Sequence, residues 1–485
     1  MAPALREKTS IRVALAIDAK EAAKEAANAL ARRGIAAEAV TVDQLVDVSS
    51  AVIGYAPAKP PGRAEAAELA RICEAAAHAG RPLVMLAAYA PPSPKQLRDR
   101  ILSLAYLRAS GAIICRDPDV WLETIVLIAA HGLPDGGQVA VVTPPDSWLS
   151  ASANALSREW LGSQLPTMSG SLDQTGSVDV ALVDSAELSA SSPSRLGEAM
   201  VVPLMGRVEQ LNRDAPVRKR NRVPLVGLRN ALLATATAGR LAARIASGLG
   251  RASEEDAEFD IDAERFERQL DKLGERAGDH ETKVLLAAYE VKINRQAVAT
   301  TPSAATRIAK KAGYPVEVKP WGPDIASETD GCPVESGLTT AADVRRAYAA
   351  VAKRANLAPG TPVIVRETPP RGREASVDLR RWGPLGWMLI LDVSGSNEPV
   401  AAPAPMTVGT AMEMARLVEA TRSGDAPPDR AALADILVRV SHLANDYASE
   451  LDSLHLHRVI IGDQGSGAMV VDASANLARK TYENA

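Results

Sequence analysis

The chain has 485 residues, with 55 Lys and Arg against 59 Asp and Glu, for a formal net charge of −4. Hydrophobic residues make up 47% and charged residues 24%, which excludes global disorder, because aliphatic content is high and net charge small. Aromatic residues are only 3%, and without a basic excess this composition excludes a general nucleic-acid binder.

Along the first 135 residues, short apolar strands alternate with helices. Ile11–Ile17, Ala36–Val42, Ala51–Tyr55, Pro82–Ala87 and Ala112–Cys115 read as strands. Lys20–Arg33, Arg63–His78, Lys95–Ser110 and Pro118–His131 read as helices, stopped by Gly34, Gly80, Gly111 and Gly132. This rhythm predicts a mostly parallel sheet with helices on both faces. A second, shortened α/β unit over 136–206 follows, with strands at Gln138–Thr143, Val178–Val183 and Met200–Leu204 and a helix at Leu149–Trp160. Within it, Ser163–Ser177 reads as a Ser/Gly-rich surface loop.

Residues 207–278 read as a connector. It holds a basic pentad (Arg218–Arg222), an Ala/Leu-rich helix (Leu228–Leu249) and an acidic stretch (Glu254–Glu264). The pentad suits a nucleic-acid patch, but the acidic block that follows favours a solvated linker. Both phenylalanines, Phe259 and Phe266, fall here, and their spacing of seven predicts an anchor that docks the connector. From 279 onward, helices at Glu281–Tyr289, Pro302–Ala312, Ala341–Arg354, Val408–Thr421 and Asp429–Tyr447 mix with strands at Val316–Lys319, Val363–Glu367, Glu374–Leu379, Trp387–Val393, His457–Ile461 and Ala468–Val471. That mixture predicts an α+β domain over 279–485.

Cys73, Cys115 and Cys332 are odd in number and far apart, so neither a disulfide framework nor a Cys/His zinc site is expected. The opening MAPALREKTSIRVALAID is too charged for a secretory signal, and no apolar run approaches a membrane span. A cytoplasmic protein is expected.

The C-terminal region resembles the ATP-grasp domain of the NDP-forming acyl-CoA synthetases, the superfamily of ADP-forming acetyl-CoA synthetase and succinyl-CoA synthetase. Residues 281–319, ETKVLLAAYEVKINRQAVATTPSAATRIAKKAGYPVEVK, match its opening helix, its T-P-x-A-A helix, its G-Y-P-V strand and the closing lysine. Further matches are Pro323-Asp324-Ile325, Asp330, Val365–Glu374, Glu450-Leu451-Asp452 and Val470-Val471-Asp472-Ala473. Ala64–Leu127 more faintly resembles the family's flavodoxin-like domain, and Gly137–Thr143 the start of the next one. The implied fold is α/β, with two flavodoxin-like (succinyl-CoA-ligase-like) parallel-sheet domains followed by an α+β ATP-grasp domain.

The resemblance also implies site residues. Lys319 corresponds to the lysine at the ATP phosphates, Glu367 and Glu374 to the nucleotide-binding hinge and its following glutamate, and Asp472 to a magnesium ligand, so ATP and magnesium are the implied cofactors. Several family positions differ. The H-K pair is Ser327-Glu328, G-G is Cys332-Pro333, the asparagine of D-I-N-P is Leu454, and G-L-G-G is Asp392-Val393-Ser394-Gly395. The family's phosphohistidine loop, S-H-T-G, corresponds to AYAPPSPKQLRDRILSLAY, which has neither histidine nor glycine. After IRVALAI comes Asp18-Ala19-Lys20-Glu21, not a glycine-rich phosphate loop, so the coenzyme A domain is not recognised. His78 and His131 read as helix-end residues, His280 and His442 as helical ones, and His455 and His457 as neighbours on one strand.

No catalytic residue is therefore assigned. The expected function is a degenerate relative that binds or assembles through an ATP-grasp scaffold, with a protein partner or a second copy. The alternative is one subunit of an ADP-forming ligase joining acid, CoA and ATP, its phosphohistidine loop and CoA domain supplied in trans. A third reading is a binding protein with a remodelled pocket. Neither nucleic acid nor a membrane span enters these expectations.

Overall fold

The computed structural model describes residues 12–47, 52–90, 93–144, 147–160, 178–184, 188, 195–196, 199–205, 223–246, 248–250, 259, 261–322, 325, 331–396, 398–418 and 426–478. Five sequence features lie outside them: the Ser163–Ser177 loop, the Arg218–Arg222 pentad, most of the acidic stretch, Pro323-Asp324 and the Ser327–Asp330 segment. The chain divides into two compact units, Met1–Leu249 and Gly250–Ala485.

The first unit opens with β1 (Arg12–Ile17), α1 (Lys20–Ala31), β2 (Ala36–Ala39), β3 (Val52–Ala56), α2 (Arg63–His78) and β4 (Leu83–Leu86). It continues with α3 (Pro94–Ala109), β5 (Ile113–Cys115) and α4 (Pro118–His131). The sheet order is β2-β1-β3-β4-β5, every neighbour parallel, which is the flavodoxin-like order. Asp117 starts α4 by accepting from the N–H groups of Asp119 and Val120, with Pro118 in the first turn. The helix ends at Gly132, whose φ of 93° favours glycine.

A second sheet follows from β6 (Val139–Val142), α5 (Trp148–Trp160), β7 (Val180–Asp184), β8 (Arg195–Leu196), β9 (Ala199–Met205), β10 (Leu225–Val226) and α6 (Leu228–Ala246). Its order is β10-β9-β7-β6, all parallel, with β8 antiparallel to β9. The segment read as a connector thus gives β10 and α6 to this unit. Leu228, Ala231, Leu232, Ala238 and Leu241 of α6 join a core shared with α4 and both sheets. Gly239 lies where a side chain would strike the backbone of Gly136 and Gly137. Inside this core Arg33 makes a two-pronged ion pair with Glu123 of α4, at 2.9 and 2.5 Å. The Val226 N–H adds a third bond to the same carboxylate, at 2.9 Å.

The second unit begins with α7 (Ala263–Leu270), β11 (Arg276–Ala277), α8 (Asp279–Ala288), β12 (Gln296–Ala299) and α9 (Pro302–Ala312). β13 (Val316–Pro320), β14 (Glu335–Leu338), α10 (Ala341–Arg354) and β15 (Val363–Glu367) come next. The chain then runs through β16 (Arg373–Arg381), β17 (Trp387–Val393), β18 (Val400–Pro403), α11 (Val408–Ala415), α12 (Arg430–Asp446), β19 (Leu451–Ile461) and β20 (Ala468–Leu477). Both of its sheets are antiparallel, a four-stranded β12-β15-β13-β14 and a six-stranded β11-β20-β19-β16-β17-β18. The chain is therefore α/β with two parallel sheets, followed by an α+β region.

Helices α9 and α10 cover the small sheet, burying Ala305, Ala309, Val344 and Val351 against Val316, Val318, Val363 and Val365. The large sheet packs Leu454, Leu456, Val377 and Leu389 against α8, α11 and α12. Phe266 stacks on Tyr447 at 3.9 Å, and Phe259 meets His442 edge-on at 5.2 Å, so both rings dock within their own unit. Among the described residues, no helix is long and apolar enough to cross a membrane.

Candidate functional site

Alternation along β13 and β15 places the site. Val316, Val318, Val363 and Val365 turn into the small core, so Glu317, Lys319, Ile364 and Arg366 share the opposite face. Arg366 donates Nε and Nη2 to Glu317 Oε2 at 2.9 and 2.7 Å, and Nη1 to the Val471 carbonyl at 2.9 Å. Lys319 reaches from the end of β13 to Asp472 of β20, Nζ to Oδ1, at 2.8 Å. It also lies 3.4 Å from Asp279 Oδ2, at the start of α8.

Asp279 and Lys283 stand one helical turn apart on α8 and pair at 3.0 Å. Lys283 Nζ further donates to Asn294 Oδ1 and Gln296 Oε1, each at 2.9 Å, and to the Val471 carbonyl. Asp279 Oδ1 accepts from the Ala473 N–H at 3.1 Å. Lys283, Asp279, Lys319 and Asp472 thus form an alternating series of charge, with side chains only 0, 5, 2 and 1% exposed. With Arg366 and Glu317, three cations face three carboxylates. Charges this deep persist only when paired and hydrogen-bonded.

Burial disfavours ionisation of Asp279, but Lys283, Lys319 and Arg366 overcome it and hold the carboxyl below its usual range. Burial also pushes Lys283 down to about 8, against the pull of Asp279. Lys319 and Asp472 form part of the wall of a cavity of about 210 Å³, with Trp321, His457, Ser474 and Asn476 among the other lining residues.

Two sequence-named residues meet here, Lys319 and Asp472. Glu367 lies at the far end of β15, opposite Val316, where it accepts from the Arg295 N–H at 2.8 Å and from Nε at 2.7 Å. Glu374, on β16 of the large sheet, pairs with Arg458 at 2.8 Å. Neither glutamate lines the cavity. Asp279, Lys283, Glu317 and Arg366 were not singled out from sequence, although two of these charges interrupt the apolar strands VEVKP and VIVRE.

The ATP-grasp domain family matches residues 270–477. Acetate–CoA ligase (ADP-forming) I of Archaeoglobus fulgidus is 30% identical over 258 residues, 48% of this chain and 37% of that ligase. The beta subunit of acetate–CoA ligase (ADP-forming) II of Pyrococcus furiosus is 25% identical over 213 residues, 40% of this chain and 89% of that subunit. A solved acetyl-coenzyme A synthetase of Candidatus Korarchaeum cryptofilum is 23% identical with a TM-score of 0.39, covering 44% of this chain and 97% of that one. Over part of its length the chain is similar to ADP-forming acyl-CoA ligases. It spans little more than a third of the length of the Archaeoglobus enzyme.

Among the described residues of this region, those present do not fit a magnesium ion, which needs several hard oxygen ligands in near-octahedral array. The Asp472 carboxylate already holds Lys319, and Asp279 is bonded to Lys283 and the Ala473 N–H. Leu454, at the family's asparagine position, is 2% exposed in the apolar core. Among the described residues, no group of three or more His, Cys, Asp or Glu is placed to hold a metal. His455 and His457 share one face of β19 and stack at 5.9 Å instead of converging. His455 lies 3.3 Å from Asp378, and His457 bonds Ser474 at 2.7 Å.

Proposed function

We propose that this chain is a binding or assembly subunit built on an ATP-grasp scaffold, a degenerate relative of the ADP-forming acyl-CoA ligases that does not ligate by itself. One observation carries the reading: Lys319, the cation expected at the nucleotide phosphates, is 2% exposed and bound by two carboxylates. Phosphoryl transfer depends on cations aimed at the charge of the transferring group. Here that charge is already neutralised inside the protein. The histidine-free interval AYAPPSPKQLRDRILSLAY agrees with this, since a phosphohistidine relay has no imidazole there.

The test supplies the purified chain with ATP, magnesium, coenzyme A and a panel of short-chain acids. No ADP release above background is expected, and sustained acid- and CoA-dependent release refutes the reading. A second reading draws on the Pyrococcus beta subunit, 89% of which is covered by the match to this chain. On that reading the chain is the nucleotide-binding subunit of a ligase, with ATP and magnesium as cofactors and a protein partner supplying the phosphohistidine. Stabilisation by Mg-ATP, lost in Lys319→Ala, supports it, because a ligand selective for the native state raises the thermal midpoint by mass action.

A further inference from the structure

We infer that the Lys319 ammonium is a resident cation that keeps divalent metal off Asp472 and Asp279, so metal reaches those carboxylates only once Lys319 is withdrawn or removed. The inference rests on reading this cavity as a modified nucleotide site, but its test contains no nucleotide and so fails or succeeds separately.

The geometry comes first. Lys319 Nζ lies 2.8 Å from Asp472 Oδ1 and 3.4 Å from Asp279 Oδ2, between two carboxylates contributed by β20 and α8. A bridging metal would occupy that same space, at about 2.0–2.6 Å from each oxygen for magnesium or calcium. The ammonium and the ion cannot both be there.

Charge leads to the same result. Among the described residues, Lys283, Lys319 and Arg366 balance Asp279, Asp472 and Glu317, three cations against three carboxylates. Adding a divalent ion with Lys319 in place would create an uncompensated double positive charge at low dielectric. Removing the lysine charge leaves the group one unit negative, with Ser474 and Asn476 as further oxygen-bearing residues on the cavity wall. A divalent ion then has both a net attraction and space.

The experiment uses the full chain and Mn²⁺ alone, read by thermal midpoint and by electron paramagnetic resonance of bound ion at constant ionic strength. Wild type is expected to show no site-specific Mn²⁺ binding, and Lys319→Gln is expected to bind Mn²⁺ about tenfold more tightly or better. Lys319→Arg, which keeps the cation, stays like wild type. Adding Asp472→Asn to Lys319→Gln abolishes the gain. If Lys319→Gln does not fold, the near-isosteric Lys319→Met takes its place. Wild-type Mn²⁺ binding that disappears in Asp472→Asn overturns the inference, as does a folded Lys319→Gln or Lys319→Met with no gain.

Discussion

Each unit of the chain buries ionic groups, and the two arrangements differ. In the first unit a single guanidinium, Arg33, faces a single carboxylate, Glu123, with the Val226 N–H closing the set. Burial dominates there and pushes the Glu123 carboxyl up despite the arginine. In the second unit three cations surround Asp279, and they hold its carboxyl down despite comparable burial. Glu123 is enclosed by core and backbone, whereas Lys319 and Asp472 form part of a cavity wall. A closed pair fixes packing.

Glu123→Ala gives the sharpest test of the closed pair, because it strands Arg33 in the core. A loss of about 3–5 kcal/mol in urea unfolding is expected, while Arg33→Met with Glu123→Leu together should fall within about 1 kcal/mol of wild type. A single-variant loss below about 1 kcal/mol would break the contrast.

The open series is tested next through pH. Lys283 is held near 8 in the folded chain against an ordinary 10.5, so between these values the unfolded chain binds more protons. Stability from this group therefore rises as pH climbs from about 8 towards 10.5, on the order of 1–3 kcal/mol. Lys283→Met should flatten that slope in urea midpoints taken across the window. An unchanged slope would mean that the lysine is not desolvated.

The smallest effect belongs to Glu374, whose partner Arg458 is itself partly exposed. Glu374→Ala should change stability by no more than about 0.5 kcal/mol, as solvent-exposed pairs do. A larger loss would extend the coupled charges onto β16.

Much of the architecture was legible because aliphatic periodicity dominates it. Arg63–His78, Pro118–His131, Pro302–Ala312 and Trp387–Val393 have the same bounds in sequence and structure. β12, β14 and β18 left little signal: QAVA, ESGL and VAAP are short and poor in strand-forming residues, and pairing with neighbours defines them. β19 begins at Leu451, earlier than expected, since Ser453, His455 and His457 alternate with buried Leu454 and Leu456. Lys319 and Asp472 could be named from motif, but their contact could not, because 153 residues separate them. The available clue was charge in apolar strands: Glu317, Lys319, Arg366 and Asp472 each directly follow a Val, and buried charges require one another.

The close approach of Gly239 to Gly136 and Gly137 sits in a chain whose residues are only 3% aromatic. A core filled largely with Ala, Val and Leu has few large wedges to hold helices at a set distance. Here main chain rests almost directly on main chain, and the bare backbone serves as the spacer. Even a methyl group at 239 would act as a shim, moving α6 away from the strand entry and loosening that seam.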